Sequence, residues 1–166
     1  MSIENLSNSD AKKKLKKLVE DIDFAMLGTN LTKLPISAIP MSTKEVDESG
    51  EIWFLSNRTS EHNANIKADS KVQLFYSDPS DMEFISIYGT AEIILDKARL
   101  QELYGKSDDA WFDGKDDPNL TGIKVTPKEA FYWDTKSNKY VSLLKMGVAA
   151  ITGEKADVGE RGKLNL

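Results

Sequence analysis

The sequence predicts a mainly β fold of the α+β class, a small antiparallel β-barrel with flanking helices. Three observations carry this. Short apolar, strand-like stretches recur along the chain, separated by turn clusters such as Asp47-Glu48-Ser49-Gly50 and Asp78-Pro79-Ser80-Asp81. Few stretches carry a helical period, so strands dominate. The connections are short, which suits antiparallel neighbours, and closing such a sheet into a barrel removes its exposed edges. With 166 residues, 40% apolar and 30% charged, the chain is one globular domain (1–166) with room for a real core.

In chain order, Ser9 or Asp10 can cap a helix running to about residue 21. Ala11, Leu15, Leu18, Val19 and Ile22 lie on one side of it, and the lysines at 12, 13, 14, 16 and 17 on the other. Such a helix could lie on a membrane, but its apolar stripe is narrow and lacks aromatic anchors, which favours a solvated face. Strands are expected over 24–29 and 34–41, linked by the polar residues 30–33; the turn at 47–50 leads into a strand over 52–56. A helix over 60–68 precedes a strand over 72–76. After the turn at 78–81 an alternating strand covers 82–95, with Gly89 marking a bulge or bend. Asp96 caps a helix to about Tyr104, and Trp111 and Phe112 form a buried aromatic pair in an acidic loop. Residues 119–126, 130–133 and 140–146 read as the last strands. The tail from Gly147, rich in glycine and charge, is expected to be flexible or draped on a partner.

Composition excludes several functions. A net charge of −5 argues against a nucleic-acid partner, which needs a clustered basic surface. Zero cysteines exclude disulfides, thiolate catalysis and Cys-built metal sites. No apolar leader opens the chain and no apolar run reaches transmembrane length, so a cytoplasmic protein without a membrane partner is expected. A single histidine rules out His-rich metal sites and, with no local serine motif, argues against a Ser-His-Asp triad. The acidic loop over 108–117 lacks EF-hand spacing, because Trp111 and Phe112 stand where ligands should be. No metal site is expected, and no Walker or Rossmann loop is present.

The most informative stretch runs Ile52-Trp53-Phe54-Leu55-Ser56-Asn57-Arg58-Thr59-Ser60-Glu61-His62 and enters a helix. An apolar strand that ends in hydroxyl and amide side chains before a helix makes an anion cradle. The helix start offers unpaired N–H groups and the positive end of a dipole, and Ser56, Asn57, Thr59 and Ser60 add hydrogen-bonding groups. The plainer reading is that Ser60 or Thr59 merely caps the helix.

The order of motifs resembles the pyridoxamine-phosphate-oxidase-like split barrels, nearest the bacterial general stress protein 26-like branch. The resemblance spans about nine tenths of the chain. It is carried by Phe24-Ala25-Met26-Leu27, Pro40-Met41, Trp53-Phe54-Leu55-Ser56, Tyr76-Ser77-Asp78-Pro79 and Gly89-Thr90-Ala91-Glu92. Ala110-Trp111-Phe112, Asp116-Asp117-Pro118, Val125-Thr126-Pro127 and Tyr132-Trp133-Asp134 continue it. It implies a split β-barrel of antiparallel Greek-key type and a homodimer with two FMN sites at the subunit interface. On that likeness Pro40, Met41, Ser42 and Thr43 line the flavin ring edge. Leu55, Ser56 and Asn57 sit beside the ring and ribityl chain, Ser60 with its helix meets the phosphate, and Trp133 reaches the flavin of the other subunit. The residues alone leave a second reading of Trp133 open: it and Tyr132 point to opposite faces of a strand, so one of them is core.

The pattern breaks at two positions. The family usually has an arginine just before the Pro-Met pair and a lysine two residues after the cradle serine, both reaching the phosphate; here Ile39 and His62 stand there. Losing two charged hydrogen bonds costs about 3–6 kcal/mol, roughly two to four decades of affinity. A protonated His62, Arg58 in the same turn, or Lys67 further on could compensate; equally, His62 and Arg58 could be plain surface residues. A one-residue offset of the strand would turn Ile39 into core. Two functions follow: an FMN-binding oxidoreductase-type protein acting on a small molecule, or a stress-response binding module on the same dimeric barrel without tightly held FMN.

Overall fold

The computed structural model describes residues 2–135, 146, 149 and 159–166. The elements are β1 (Ser2–Ile3), β2 (Leu6–Ser7), α1 (Asn8–Ile22), β3 (Phe24–Thr29), β4 (Ser37–Ser42), β5 (Glu45–Val46), β6 (Ile52–Asn57) and α2 (Glu61–Ala68). They continue with β7 (Lys71–Asp78), β8 (Glu83–Ile94), α3 (Lys97–Leu103), β9 (Leu120–Thr135) and β10 (Gly159–Asn165). One sheet holds every strand, running β4-β3-β7-β8-β9 with antiparallel neighbours. The other side of β9 takes two partners. Its first half pairs with β6, which carries β5, and its second half pairs with β10, which carries β1 and β2 in parallel.

This is a mainly β split barrel with flanking helices, and the sheet is open. β4 and β5 end the antiparallel path and do not pair with each other, although only Thr43 and Lys44 join them. So short a link forces the sheet to curl until its two ends meet, while the missing ladder leaves it split. The edges expected to vanish on closure therefore remain.

Local chemistry explains most boundaries. Asp96 Oδ1 accepts from Ala98 N at 3.0 Å to open α3, and Ser60 Oγ accepts from Asn63 N at 3.3 Å to open α2. Asp47 Oδ1 accepts from Ser49 N and Glu51 N, and Gly50 takes φ 87° in the same turn. The Asp47 carboxyl also accepts from Trp53 Nε1, and these hydrogen bonds hold its pKa below the usual value against burial. α1 is capped at Ser7, two or three residues before the expected caps, and Ala11, Leu15, Leu18 and Val19 are buried as the periodicity predicts. They join Leu27, Leu74, Ile85, Ile87 and Tyr132 in the main core.

β6 is buried on both faces. Ile52 and Phe54 enter the main core, while Trp53 and Leu55 enter a second one with Leu100, Leu103 and Leu120. Gly89 sits at the expected irregularity: Tyr88 pairs with Glu129 and Gly89 with Pro127, so Lys128 is the extra residue. A Cβ at Gly89 would lie 2.4 Å from Thr126 O.

Several expectations are corrected. The strands expected over 119–126 and 130–133 are one strand, β9, which accommodates Pro127 at the bulge. Trp111 is 79% exposed and Phe112 packs edge-on against Tyr104, so the acidic loop holds no buried aromatic pair. The strand expected over 140–146 lies, apart from Met146, outside the described residues. Of the tail from Gly147, Gly159–Asn165 is a strand of this chain's own sheet, and the rest up to 158, apart from Ala149, is outside the described residues.

Residues 2–7 form a strap over β10. Glu4 N donates to Arg161 O at 2.9 Å, Tyr132 Oη to Glu4 O at 3.0 Å, and Lys163 N to Asn5 Oδ1 at 2.9 Å. The crossing works because residue 162 is glycine: a Cβ there would fall 1.7 Å from Glu4 O. Gly162→Ala is expected to lift the strap and cost about 1–3 kcal/mol. Urea denaturation reads the stability, and faster amide exchange at Glu4 and Lys163 locates the damage. Unchanged exchange there would show that the strap does not depend on the glycine.

The outer face of the sheet carries several exposed aromatic and apolar side chains among polar ones. Pro40, Met26, Phe75, Ser86, Phe131 and Lys163 form one row from β4 to β10. Phe84, Trp133 and Arg161 form part of the next row, with Phe24 opposite Ser42 at its β4 end. Phe75 and Phe131 are 45% and 47% exposed, while their strand neighbours Leu74, Tyr76, Ala130 and Tyr132 are buried. Phe75 and Phe131 flank Ser86 in this row, and Lys163 Nζ lies over the Phe131 ring.

Candidate functional site

β6 ends in Ser56 and Asn57, and α2 begins after Ser60. Asn57 shapes the turn between them. Its Oδ1 accepts from Thr59 N at 2.9 Å and Thr59 Oγ1 at 2.8 Å, and its carbonyl accepts from Ser60 N at 3.1 Å. The first turn of α2 then leaves the amides of Glu61 and His62 without intrahelical acceptors. An acceptor-rich anion suits this place.

Behind the turn lies a buried polar network. Ser56 Oγ donates to Asn63 Oδ1 at 2.8 Å and lies 2.6 Å from His62 Nε2. Asn63 Nδ2 donates to Asn57 O at 3.0 Å and to Thr121 Oγ1 at 2.9 Å, and Thr121 Oγ1 donates to Ser56 O at 2.9 Å. Ser56, Asn63 and Thr121 are all buried, and no buried side-chain polar atom among the described residues lacks a partner. A satisfied network of this kind fixes geometry. His62 is half-buried at its edge, and burial pushes its pKa below the ordinary value while Glu61 pulls the other way.

The remaining expected site residues fall in three places. Met41 is buried at the main core, with Ser42 and Thr43 half-buried beyond it and Pro40 exposed on the outer face. Thr43 Oγ1 lies 2.8 Å from Tyr76 Oη, whose pKa burial raises. Leu55 lies on the opposite face of β6 from Phe54, in the second core, and is not brought to the hydroxyl cluster. Trp133 stands on the outer face, 39% exposed, whereas Tyr132 is fully buried as the core member of the pair. Asn57 pairs with Leu120 on β9, so Trp133 is thirteen residues further along that strand, about 40 Å of chain. One chain does not bring Trp133 to the cradle. Ile39 packs against the main core, which is the inward placement allowed by a strand offset, and Arg58 and Lys67 are exposed.

Asn63 and Thr121 join the site only through the fold. Asn63 looks like any polar helix residue, and its only signal is its place three residues after the Ser60 cap, facing back toward β6. Thr121 carries no local signal.

A family model described as pyridoxamine 5'-phosphate oxidase like matches residues 10–157. The chain belongs to the pyridoxamine 5'-phosphate oxidase-like family. The resemblance read from the motifs is therefore membership, and the split barrel it implied is the fold observed. Among solved structures, this family member is similar to a putative general stress protein 26 from Jannaschia sp. CCS1. The match has 27% identity and a TM-score of 0.80 over 95% of this chain and 99% of that one. A general stress FMN/FAD binding protein from Xanthomonas citri matches at 26% identity and TM-score 0.66, over 79% and 93% of the two chains. The protein bli-3 of Neurospora crassa is 23% identical over 93% of this chain and 82% of its own. No helix among the described residues is long and apolar enough to cross a membrane.

Proposed function

We propose that this family member is a cytoplasmic flavin-binding protein of oxidoreductase type, a homodimer that holds FMN at two interfacial sites and acts on a small molecule. The observation that carries the reading is the α2 cradle, where free helix amides, the Ser60 cap and His62 converge in front of a fully satisfied buried network. Donor chemistry there fits a phosphate, although no permanent cation is built into it. Ser60, the α2 amides and His62 would hold the phosphate, and Asn57 the ribityl side. Met41, Ser42 and Thr43 would flank the ring edge. The outer aromatic face supports self-association, which would deliver the partner subunit's Trp133 to a site that one chain leaves incomplete. The similar Xanthomonas citri protein, described as FMN/FAD binding, supports the same reading.

The redox chemistry is that of the flavin ring when bound. The chain's own residues bind it, orient it and exclude water, and none is required as an acid or base. A second reading, a binding module without tightly held FMN, is favoured by Ile39 turned into the core and by a half-buried histidine in place of a lysine.

The deciding experiment is an FMN titration of the purified protein after its visible spectrum is recorded. A yellow protein, or saturation at micromolar FMN, supports the first reading; a colourless protein indifferent to FMN supports the second. Ser60→Ala removes a hydroxyl that would hydrogen-bond the phosphate, worth about 0.5–1.5 kcal/mol, so FMN affinity is expected to fall by roughly two- to tenfold. Unchanged affinity in a folded variant would remove Ser60 from the site.

A further inference from the structure

The neutral ring of His62 has one tautomer open to it. Asn63 Nδ2 faces Asn57 O, a carbonyl that can only accept, so the Asn63 amide oxygen must face Ser56. The single Ser56 Oγ proton goes to that oxygen, and Ser56 Oγ is left to accept from His62. Nε2 therefore carries the proton. Nδ1 keeps its lone pair and has no hydrogen-bond partner among the described residues. The buried network thus holds the ring at the first turn of α2 with one nitrogen open.

We infer that His62 recognises a phosphate monoester dianion by taking up one proton at Nδ1, where a permanent cation would otherwise serve. This rests on the flavin-nucleotide reading above. The proton comes from solvent and no bond of the ligand breaks: Nδ1 gains an N–H, the ring becomes a cation, and the new donor pairs with a phosphate oxygen. Arg58, in the same turn, is exposed and lines a separate groove with Lys97, Lys115 and Leu120. The ring is faced by Ser56 from β6, with Thr121 of β9 and, through Asn65, Thr29 of β3 lining the same helix, and none of these titrates near neutrality. No charged group of β3, β8 or β9 bears on the ring; Glu61, on its own helix, is the one that does. Burial keeps the empty-site ring neutral, and an arriving dianion reverses the balance.

The linkage has a definite sign. A pKa raised by the ligand means that affinity is greatest below the free-state pKa. It falls by up to about tenfold per pH unit between the free and bound values, and is level above the bound value. The phosphate itself titrates near pH 6 and would overlap this window, so the histidine is best read directly. His62 is the single histidine of the chain, which gives its ring one assignable NMR signal.

The test follows the His62 Hε1 shift against pH in the free protein, with saturating FMN, and with riboflavin, which lacks the phosphate. Expected is a titration below about 6.5 in the free protein, moved up by at least about one unit with FMN and unmoved by riboflavin. His62→Lys, carrying a permanent cation, should tighten FMN above neutral pH and leave only the phosphate's own titration. FMN binding with an unmoved His62 titration overturns this inference and leaves the flavin reading standing. An equal shift with riboflavin also overturns it. Failure of FMN to bind at any pH overturns both.

Discussion

Phe75→Lys is expected to sediment as a monomer at micromolar concentrations where the unmodified chain gives twice its own mass. Phe75 lies at the middle of the outer row between Met26 and Ser86 and is half-exposed in the single chain. Burying a fully exposed phenylalanine contributes about 1.5–3 kcal/mol; Phe75 has just under half of its surface left to bury, and a two-fold interface counts the position twice. The substitution should therefore weaken the proposed dimer by roughly 1.5–3 kcal/mol, about one to two decades in dissociation constant. The side chain points away from the core, so the monomer should keep its fold, and circular dichroism checks that. On the proposed shared site, FMN affinity should fall with the dimer, because the partner subunit's Trp133 would no longer reach it. A variant that stays dimeric would move the interface off this face. A stable monomer that binds FMN as well as before would show that one chain suffices.

Asn63→Leu is expected to cost about 3 kcal/mol of stability by urea denaturation. Asn63 is fully buried and makes three side-chain hydrogen bonds, to Ser56 Oγ, Asn57 O and Thr121 Oγ1. Each contributes on the order of 1 kcal/mol net, and leucine has the volume but none of the partners. Asn57 O keeps Ser60 N, which limits the damage; Ser56 Oγ loses its only strong acceptor. The Ser56 proton is then free to turn toward His62, so the ring's tautomer is no longer fixed and its NMR titration should shift as well. A change below about 1 kcal/mol would mean that water replaces the amide and that the network is not sealed.

The fold was legible where one residue's chemistry decides a boundary. Asp96 and Ser60 open helices, Gly50 turns the chain with positive φ, and Gly89 marks the bulge because a strand backbone passes too close for a Cβ. The alternation of 83–94 survives into the structure because one face of β8 meets the core. Legibility failed where burial departs from a simple pattern. β10 reads Gly-Glu-Arg-Gly-Lys-Leu-Asn and buries Leu164 deeply, so period-two hydrophobicity is absent. Pro127 looked like a strand end, yet Lys128 absorbs the irregularity and lets β9 run on.

At the site, sequence placed Ser56, Asn57, Ser60 and His62 together because they are neighbours in one turn. It missed Thr121, whose part depends on a pairing between strands more than sixty residues apart in sequence. The likeness to the family groups Leu55 with the cradle residues, and in the structure Leu55 packs in the second core, on the face of β6 opposite Phe54.

That two-sided burial of β6 has a thermodynamic consequence. Whatever occupies the cradle meets a surface whose backbone is already clamped between two cores and whose hydroxyls already have fixed partners. Ordering an interfacial side chain commonly costs about 0.5–1.5 kcal/mol, and here folding has done most of that ordering in advance. Binding should therefore carry little conformational entropy penalty from the protein. Its heat-capacity change should follow the ligand's own apolar surface, with no added term from folding of the site.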